Sequence, residues 1–365
     1  MKGISNRKVL IWLNSLGIGN RNIDKLMKQI PQLTDIWWAS SEQLYSLKGI
    51  KSKIIEKIIH YRNNDYINKL FFMIEEQNIR VTTVLDVDYP KRLYHIYDNP
   101  KVIYSRGEWS EEDDLSIAVV GSRKATNYGK WATEKIVKEL VDLDVTIVSG
   151  LALGIDAIAH KVALEENGRT IGILGNGLDI VYPKQNEGLY EEIPRKGAII
   201  TEYFLGIPPL AHNFPQRNRM ISGLSLGVLV IEAKERSGSL ITAHHALEQG
   251  KEVFALPGNI NSIFSRGTNK LIKDGAKLVM DIDDIIEEIY ELQDKIHSQK
   301  KEGIDLSGLS PLEVQIMEIV QEGPTHRDAI TIKTGVDIST VNSVLTILEL
   351  KGMIKEMTGG IFTLS

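Results

Sequence analysis

VTIVSGLALGIDAIAHKVALEENGRTIGILGNGLDIVYPKQN (145–186) reads as apolar strand, glycine turn, helix, apolar strand and glycine turn in close succession. The two apolar runs, 145–150 and 170–175, have no polar alternation, as expected of strands covered on both faces. Working outward, SIAVVGSR (116–123), AIITEY (198–203), LGVLVIEA (226–233) and EVFALPG (252–258) repeat the pattern, most of them followed by helical stretches. Strands alternating with helices predict a parallel α/β sheet, a Rossmann-like core over residues 113–290. Ligands of such sheets bind beyond the carboxyl ends of the strands.

The flanks read differently. Residues 1–80 are helical and contain an internal repeat: LGIGNRNIDKLM (16–27) and LKGIKSKIIEKI (47–58) each set a Gly-Ile pair before a helix with aliphatics three or four apart. This predicts a helix-hairpin-helix, SAM-like domain. Its glycines serve either as helix C-caps or to turn a helix N-terminus toward phosphate, and Lys48, Lys51 and Lys53 make the second hairpin the better DNA candidate. Residues 81–112, with DVDYPKRLYHIYDNP, are expected to be an ordered extended connector packed on the core. A polar linker is expected over 291–305, and a winged-helix domain over 306–365, where three helical patterns precede two short strands joined by Gly359-Gly360.

The formal net charge of -5 conceals an uneven distribution, with 13 Lys and Arg against 7 Asp and Glu in residues 1–80 and 5 against 9 in residues 301–365. Phosphate binding depends on local stripes of charge, so the total does not exclude a nucleic-acid partner. The third helix of the expected winged helix, near 339–351, has no arginine, so that domain is expected to meet protein rather than DNA. With no cysteine, disulfides and thiolate metal sites are excluded. No apolar run reaches membrane-spanning length and no secretory signal opens the chain, which leads to a cytoplasmic expectation.

The turns carry the candidate chemistry. GSRKATNYG (121–129) lacks GxGxxG spacing, and the next strand ends Val148-Ser149-Gly150 without the acidic residue that holds a ribose; no dinucleotide cofactor is expected. Gly121, Ser122 and Arg123 sit instead at a helix mouth suited to phosphate. Asp156 and His160, four apart, are expected to brace the turn rather than to act as an acid–base or metal pair. Lys184 follows a proline turn; Phe214, Arg217, Asn218 and Arg219 form a cluster expected in an exposed turn before Met220; Gly238 and Ser239 open a helix with Ser239 as its expected N-cap; Asn269 and Lys270 add a further polar group. Several phosphate-competent turns without a nucleophile–base couple point to a threaded polyanion, left chemically unchanged, with Phe214 able to stack bases.

GSR, GLALGIDAIAH, LGNGLDIVYP, FPQRNRMISGLS, EAKERSGSLITAHHALEQGKEVFALPG and SRGTNKLIKDGA, taken in order, resemble the DNA-processing protein A family (DprA, also called Smf) across about 170 residues. The resemblance implies a Rossmann-like, dimerising, non-catalytic binder of single-stranded DNA that guards incoming strands and loads the recombinase RecA during natural transformation. It assigns the DNA role to Arg123, Lys184, Arg217, Asn218, Arg219, Gly238 and Ser239. Ser222 departs mildly from the family's usual alanine. The rival reading is a nucleotide-binding or nucleotide-cleaving enzyme of the phosphoribohydrolase type. Against it, SGSLITAHH replaces the PGGxGT-type loop and has no glutamate.

Overall fold

A computed structural model describes residues 4–302, 308–321 and 323–364. The chain forms two compact units, Met1–Ile289 and Tyr290–Ser365. In the first unit, six helices come first: α1 (Asn6–Ser15), α2 (Asn20–Gln29), α3 (Thr34–Trp38), α4 (Ser41–Tyr45), α5 (Ser52–Tyr61) and α6 (Asn64–Glu76). Gly17 and Gly49 take positive φ in the two repeated turns, where a side chain would be strained. The stretch expected to be an extended connector folds into strands β1 (Arg80–Thr83) and β2 (Val102–Gly107) around the short helix α7 (Lys91–Tyr94).

The remaining elements alternate as expected: β3 (Ser116–Val120), α8 (Asn127–Asp142), β4 (Thr146–Ser149), α9 (Ile155–Glu165), β5 (Thr170–Ile173), α10 (Glu187–Lys196), β6 (Ala198–Thr201), α11 (Asn213–Leu224), β7 (Gly227–Val230), α12 (Gly238–Glu248), β8 (Glu252–Ala255), α13 (Arg266–Lys273), β9 (Lys277–Leu278) and α14 (Asp283–Ile286). They build one sheet in the order β1-β2-β6-β5-β4-β3-β7-β8-β9, parallel from β6 to β9. The edge contributed by β2 and β1 is antiparallel. The chain winds from β3 outward to β6 and then returns to the other side of β3 as β7, pairing Val120 with Val230. The fold is therefore a doubly wound α/β sheet with its switch point between β3 and β7.

Strand alternation divides the buried aliphatics between two faces. Ala118, Val120, Val148, Val228 and Val230 pack with Met220, Ile221, Ala243 and Ala246 of α11 and α12. Ile117, Val119, Ile147 and Leu229 are equally buried and point to the opposite side, where α8, α9 and α10 lie against one another. The first helices are not a free domain. Trp12, Ile23, Ile36 and Ile55 share one hydrophobic cluster with Tyr104, Ile199 and Phe204 of the sheet edge.

The second unit contains α15 (Tyr290–Glu302), α16 (Pro311–Gln321), β10 (Thr325–His326), α17 (Arg327–Thr334), α18 (Ile338–Leu350), β11 (Ile354–Met357) and β12 (Ile361–Leu364). Its strands pair in the order β10-β12-β11, and Ile316, Val320, Ile330, Val341, Leu345 and Phe362 form its core. This is a winged helix. The expected linker, 291–305, is helical through Glu302; residues 303–305 of it, and 306–307 of the expected winged-helix segment, lie outside the described residues. Among the described residues no helix is long and apolar enough to cross a membrane.

Candidate nucleic-acid interface

Beyond the carboxyl ends of β3, β4 and β7 lies an open groove of about 540 Å³, at the switch point of the sheet. Its floor is built by α11, which runs under the strand ends. Arg217 is 4% exposed, and its Nη1 donates to the carbonyl of Gly150 at 2.7 Å and to that of Ile173, joining the ends of β4 and β5. Its Nε donates to Asn218 Oδ1, and Asn218 Nδ2 donates to the carbonyl of Gly238 at 3.1 Å, tying the floor to the start of α12. Burial draws the Arg217 guanidinium down to about 10, opposed by the nearby Asp156 carboxylate, so it stays charged at neutral pH. Burial raises the Asp156 carboxyl, opposed by Arg217 and by backbone amides that include Gly150 at 3.2 Å.

The walls bring the loops together. Gly154, at φ +82°, lets the start of α9 press against the 122–123 turn; a Cβ there would stand 2.2 Å from the Ser122 carbonyl oxygen. Ser122 is itself turned inward, its hydroxyl accepting from the Lys124 amide and donating to the Lys124 carbonyl at 3.1 Å. Arg123 and Lys124 are thereby left exposed on the rim, facing Lys234 and Arg236 on the loop after β7. Ser237, not Ser239, caps α12: its hydroxyl accepts the Ser239 amide. Free helix N-terminal amides and an aligned dipole favour an anion there. At Gly238 an added Cβ would meet nothing within 4 Å, so packing within the protein does not require glycine there. The Arg123 and Arg217 guanidinium carbons stand 5.9 and 5.8 Å from the Phe214 ring centre, and the ring packs on Tyr182 at 5.6 Å with the planes 35° apart.

The groove thus collects Gly121, Ser122, Arg123, Phe214, Arg217, Asn218, Gly238 and Ser239. The exposed turn expected at 217–219 is instead the middle of helix α11, and all three side chains are buried. The reason is a polar network beneath the surface. Arg219 makes a two-pronged ion pair with Glu202 at 2.7 and 2.8 Å and donates to the Asp98 carbonyl; Glu202 also accepts Asn20 Nδ2 at 2.7 Å. Although burial opposes it, the Glu202 carboxylate holds the Arg219 guanidinium above its ordinary range. Arg219 points away from the groove and fastens α2 to the sheet. Asn269 is also structural, exchanging two hydrogen bonds with the backbone of Gly258 at 3.1 and 2.9 Å. Lys184 and Lys270 are exposed but line no part of this groove, and neither do the exposed Lys48, Lys51 and Lys53.

Asp156 braces the turn as expected, accepting the Gly150 amide, whereas His160 lies away from the turn and meets the start of β5. His160 is fully buried with Nδ1 2.7 Å from Thr170 Oγ1, and burial holds the ring neutral with a pKa near 3. Lys124, Tyr182, Lys234 and Arg236 were missed, although Lys124 adjoins Arg123 and AKERSGS sets two cations directly before a helix-opening glycine. A second cavity, about 480 Å³, is lined by Asp88, Glu111, Asp113 and Asp114 together with Arg80, Lys91 and Arg92, and its cations are offset by carboxylates, Arg80 by Asp88 at 2.7 Å and Arg92 by Asp114 at 4.0 Å. No group of three His, Asp or Glu side chains among the described residues is placed to hold a metal ion.

Residues 80–290 match the family model described as DNA recombination-mediator protein A, and residues 305–360 match that of the DprA winged helix domain. The chain is 36% identical to Protein Smf of Synechocystis over 385 residues, covering 96% of each chain. It is 38% identical to DNA processing protein DprA of Streptococcus pneumoniae over 274 residues, 67% of this chain and 97% of that one. Among solved structures it is similar to the DNA processing protein A of Streptococcus pneumoniae, with a TM-score of 0.69 and 36% identity over 78% of this chain and 98% of that one. It is also similar to the DNA processing protein A of Helicobacter pylori, whose single-stranded DNA binding mode has been described, with a TM-score of 0.53 and 34% identity over 59% and 97% of the two chains.

Proposed function

Because this chain belongs to the DNA recombination-mediator protein A family, we propose that the groove between β3 and β7 binds single-stranded DNA, without sequence preference and without chemical change to it. The observation that carries this reading is the joining, in one open groove, of four exposed cations (Arg123, Lys124, Lys234 and Arg236), the amide-lined start of α12 and the aromatic Phe214. Cations and amides grip the sugar-phosphate chain, whatever its sequence. Phe214, braced by Tyr182 and two guanidinium groups, offers a ring to a base, and every base has a π-face. Arg217 and Asn218 act from beneath, setting the floor and the start of α12, rather than as leading phosphate ligands.

Family membership supports the role we propose: the protein guards incoming strands in natural transformation and loads RecA onto them, acting in the cytoplasm as a homodimer. The winged-helix unit meets a protein rather than the DNA strand. Its α18 has no arginine, and Ile338, Ile347 and Leu350 are 46, 45 and 84% exposed on it. Fluorescence anisotropy with single- and double-stranded oligonucleotides across salt concentrations tests the reading. Four phosphate contacts give a slope of log K against log salt of about −3 for an unpaired strand. Absence of salt-dependent binding to unpaired oligonucleotides, or turnover of a free nucleotide, would remove it.

A further inference from the structure

Beside the groove, on the same carboxyl edge of the sheet, is a second opening of about 360 Å³ lined by Thr126, Tyr128, Glu232, Pro257, Gly258, Asn259, Ser262 and Ser265. The two openings share their walls. Arg123 and Lys124 line the first, and Thr126, two residues further on, and Tyr128, in the first turn of α8, line the second. Phe264 and Ser265, consecutive in the chain, border one opening each, as do Lys234 and Glu232 at the end of β7. A chain leaving the first opening over the Arg123–Lys124 turn therefore arrives at the second.

The chemistry changes across that turn. The second opening has no cationic side chain in its lining, and its one carboxylate, Glu232, is buried and accepts the Thr126 amide at 3.0 Å as well as the Thr126 hydroxyl. It is a poor seat for phosphate. It carries hydroxyls, the Asn259 amide and the Tyr128 ring, and Trp131 stands beside that ring outside the lining. Tyr128 and Trp131 lie one helical turn apart on α8, 43 and 58% exposed, with ring centres 6.2 Å apart and planes inclined by 31°. The Tyr128 hydroxyl donates to the Pro257 carbonyl at 2.9 Å, which anchors its ring to the loop after β8. Exposed tyrosine and tryptophan rings, tilted toward each other next to a cationic rim, offer a stacking surface for nucleobases.

Resting on the reading of the first groove, we infer that Tyr128 and Trp131 form a second base-stacking station for the same DNA strand. The phosphates pass over Arg123, Lys124 and Lys234 while a base beyond them turns onto the aromatic pair, its edge within reach of the Asn259 and Ser262 side chains. Occupancy of this station requires a strand longer than the first groove can hold.

The test titrates the full-length protein with oligothymidylates of about 4 and about 12 nucleotides, spanning the range of single-strand site sizes. Trp131→Ala is expected to weaken the longer strand roughly tenfold and leave the shorter unchanged. Trp131→Phe restores most of the loss, and Phe214→Ala weakens both strands. The longer strand also quenches the tryptophan fluorescence of the unaltered protein, and most of that quenching vanishes in Trp131→Phe. Equal affinities of Trp131→Ala and unaltered protein for the longer strand, with Phe214→Ala still weakening both, would overturn the second station alone. Failure of the unaltered protein to bind either strand would overturn the first groove, and the station with it.

Discussion

Arg219→Ala separates the structural arginine from the ligand-facing cations. Arg219 and Glu202 are 6 and 8% exposed, and the pair is joined by two hydrogen bonds of 2.7 and 2.8 Å. Removing the guanidinium leaves the Glu202 carboxylate buried with Asn20 Nδ2 as a remaining donor, and takes one donor from each of the Asp98 and Gln216 carbonyls. Breaking one side of a buried, hydrogen-bonded pair costs about 3–5 kcal/mol. At roughly 2–4 °C per kcal/mol for a unit of this size, the melting temperature should fall by on the order of 10 °C. Differential scanning calorimetry reads that fall. Anisotropy at a temperature where the variant is still folded should show DNA affinity close to that of the unaltered protein, since Arg219 lies outside the groove. Replacing both partners by apolar residues of similar volume recovers part of the stability but not all, because Asn20 then loses its acceptor. A melting shift below about 2 °C, or a folded Arg219→Ala protein that has lost DNA, would refute the assignment of this arginine to the frame.

Three other outcomes follow from the geometry. The double change Lys234→Ala, Arg236→Ala removes two exposed rim cations and should cut the salt slope for single-stranded DNA by about 1.4 without lowering the melting temperature; an unchanged slope would place the phosphates elsewhere. His160 has a pKa near 3 in the folded chain, against an ordinary value of 6.5, because it is buried. The unfolded chain takes up its proton first, so stability falls as pH drops below 6.5, at about 1.4 kcal/mol per pH unit. Denaturant titrations between pH 6 and 5 should find that contribution missing in His160→Asn, and parallel curves for the two proteins would contradict it. Deleting residues 306–365, whose α18 carries no arginine, should leave strand affinity largely intact, and anisotropy showing a large loss would mean that the winged helix does hold DNA.

How much of the site was legible depended on whether a residue's role is local. Glycine turns after apolar strands predict where backbone amides open toward a ligand, and Ser122, Arg123, Gly238 and Ser239 indeed meet in one groove. Arg217, Asn218 and Arg219 show the limit of such reading. Three consecutive polar side chains resemble an exposed turn, yet α11 continues through them because each finds a partner outside the helix: Gly150 and Ile173, Gly238, and Glu202 with Asp98. No spacing within 212–225 announces those partners. Asn269 misled in the same way, its amide being spent on the Gly258 backbone. Conversely Tyr128, Trp131 and Arg236 look unremarkable in sequence and gain meaning only from what stands across from them.

The parallel α/β class, the repeated hairpins and the winged helix were determined by the sequence alone, because glycine turns, apolar runs and helical periodicity act over a few residues. The tertiary structure decided that 80–107 would add two antiparallel strands to the sheet and that the first helices would share its core. It also decided which cations face solvent and which are consumed by carboxylates and carbonyls. A charged side chain's fate depends on desolvation and on partners brought close by folding, and Glu202 lies 17 residues from Arg219 while Asn20 lies 182 from Glu202.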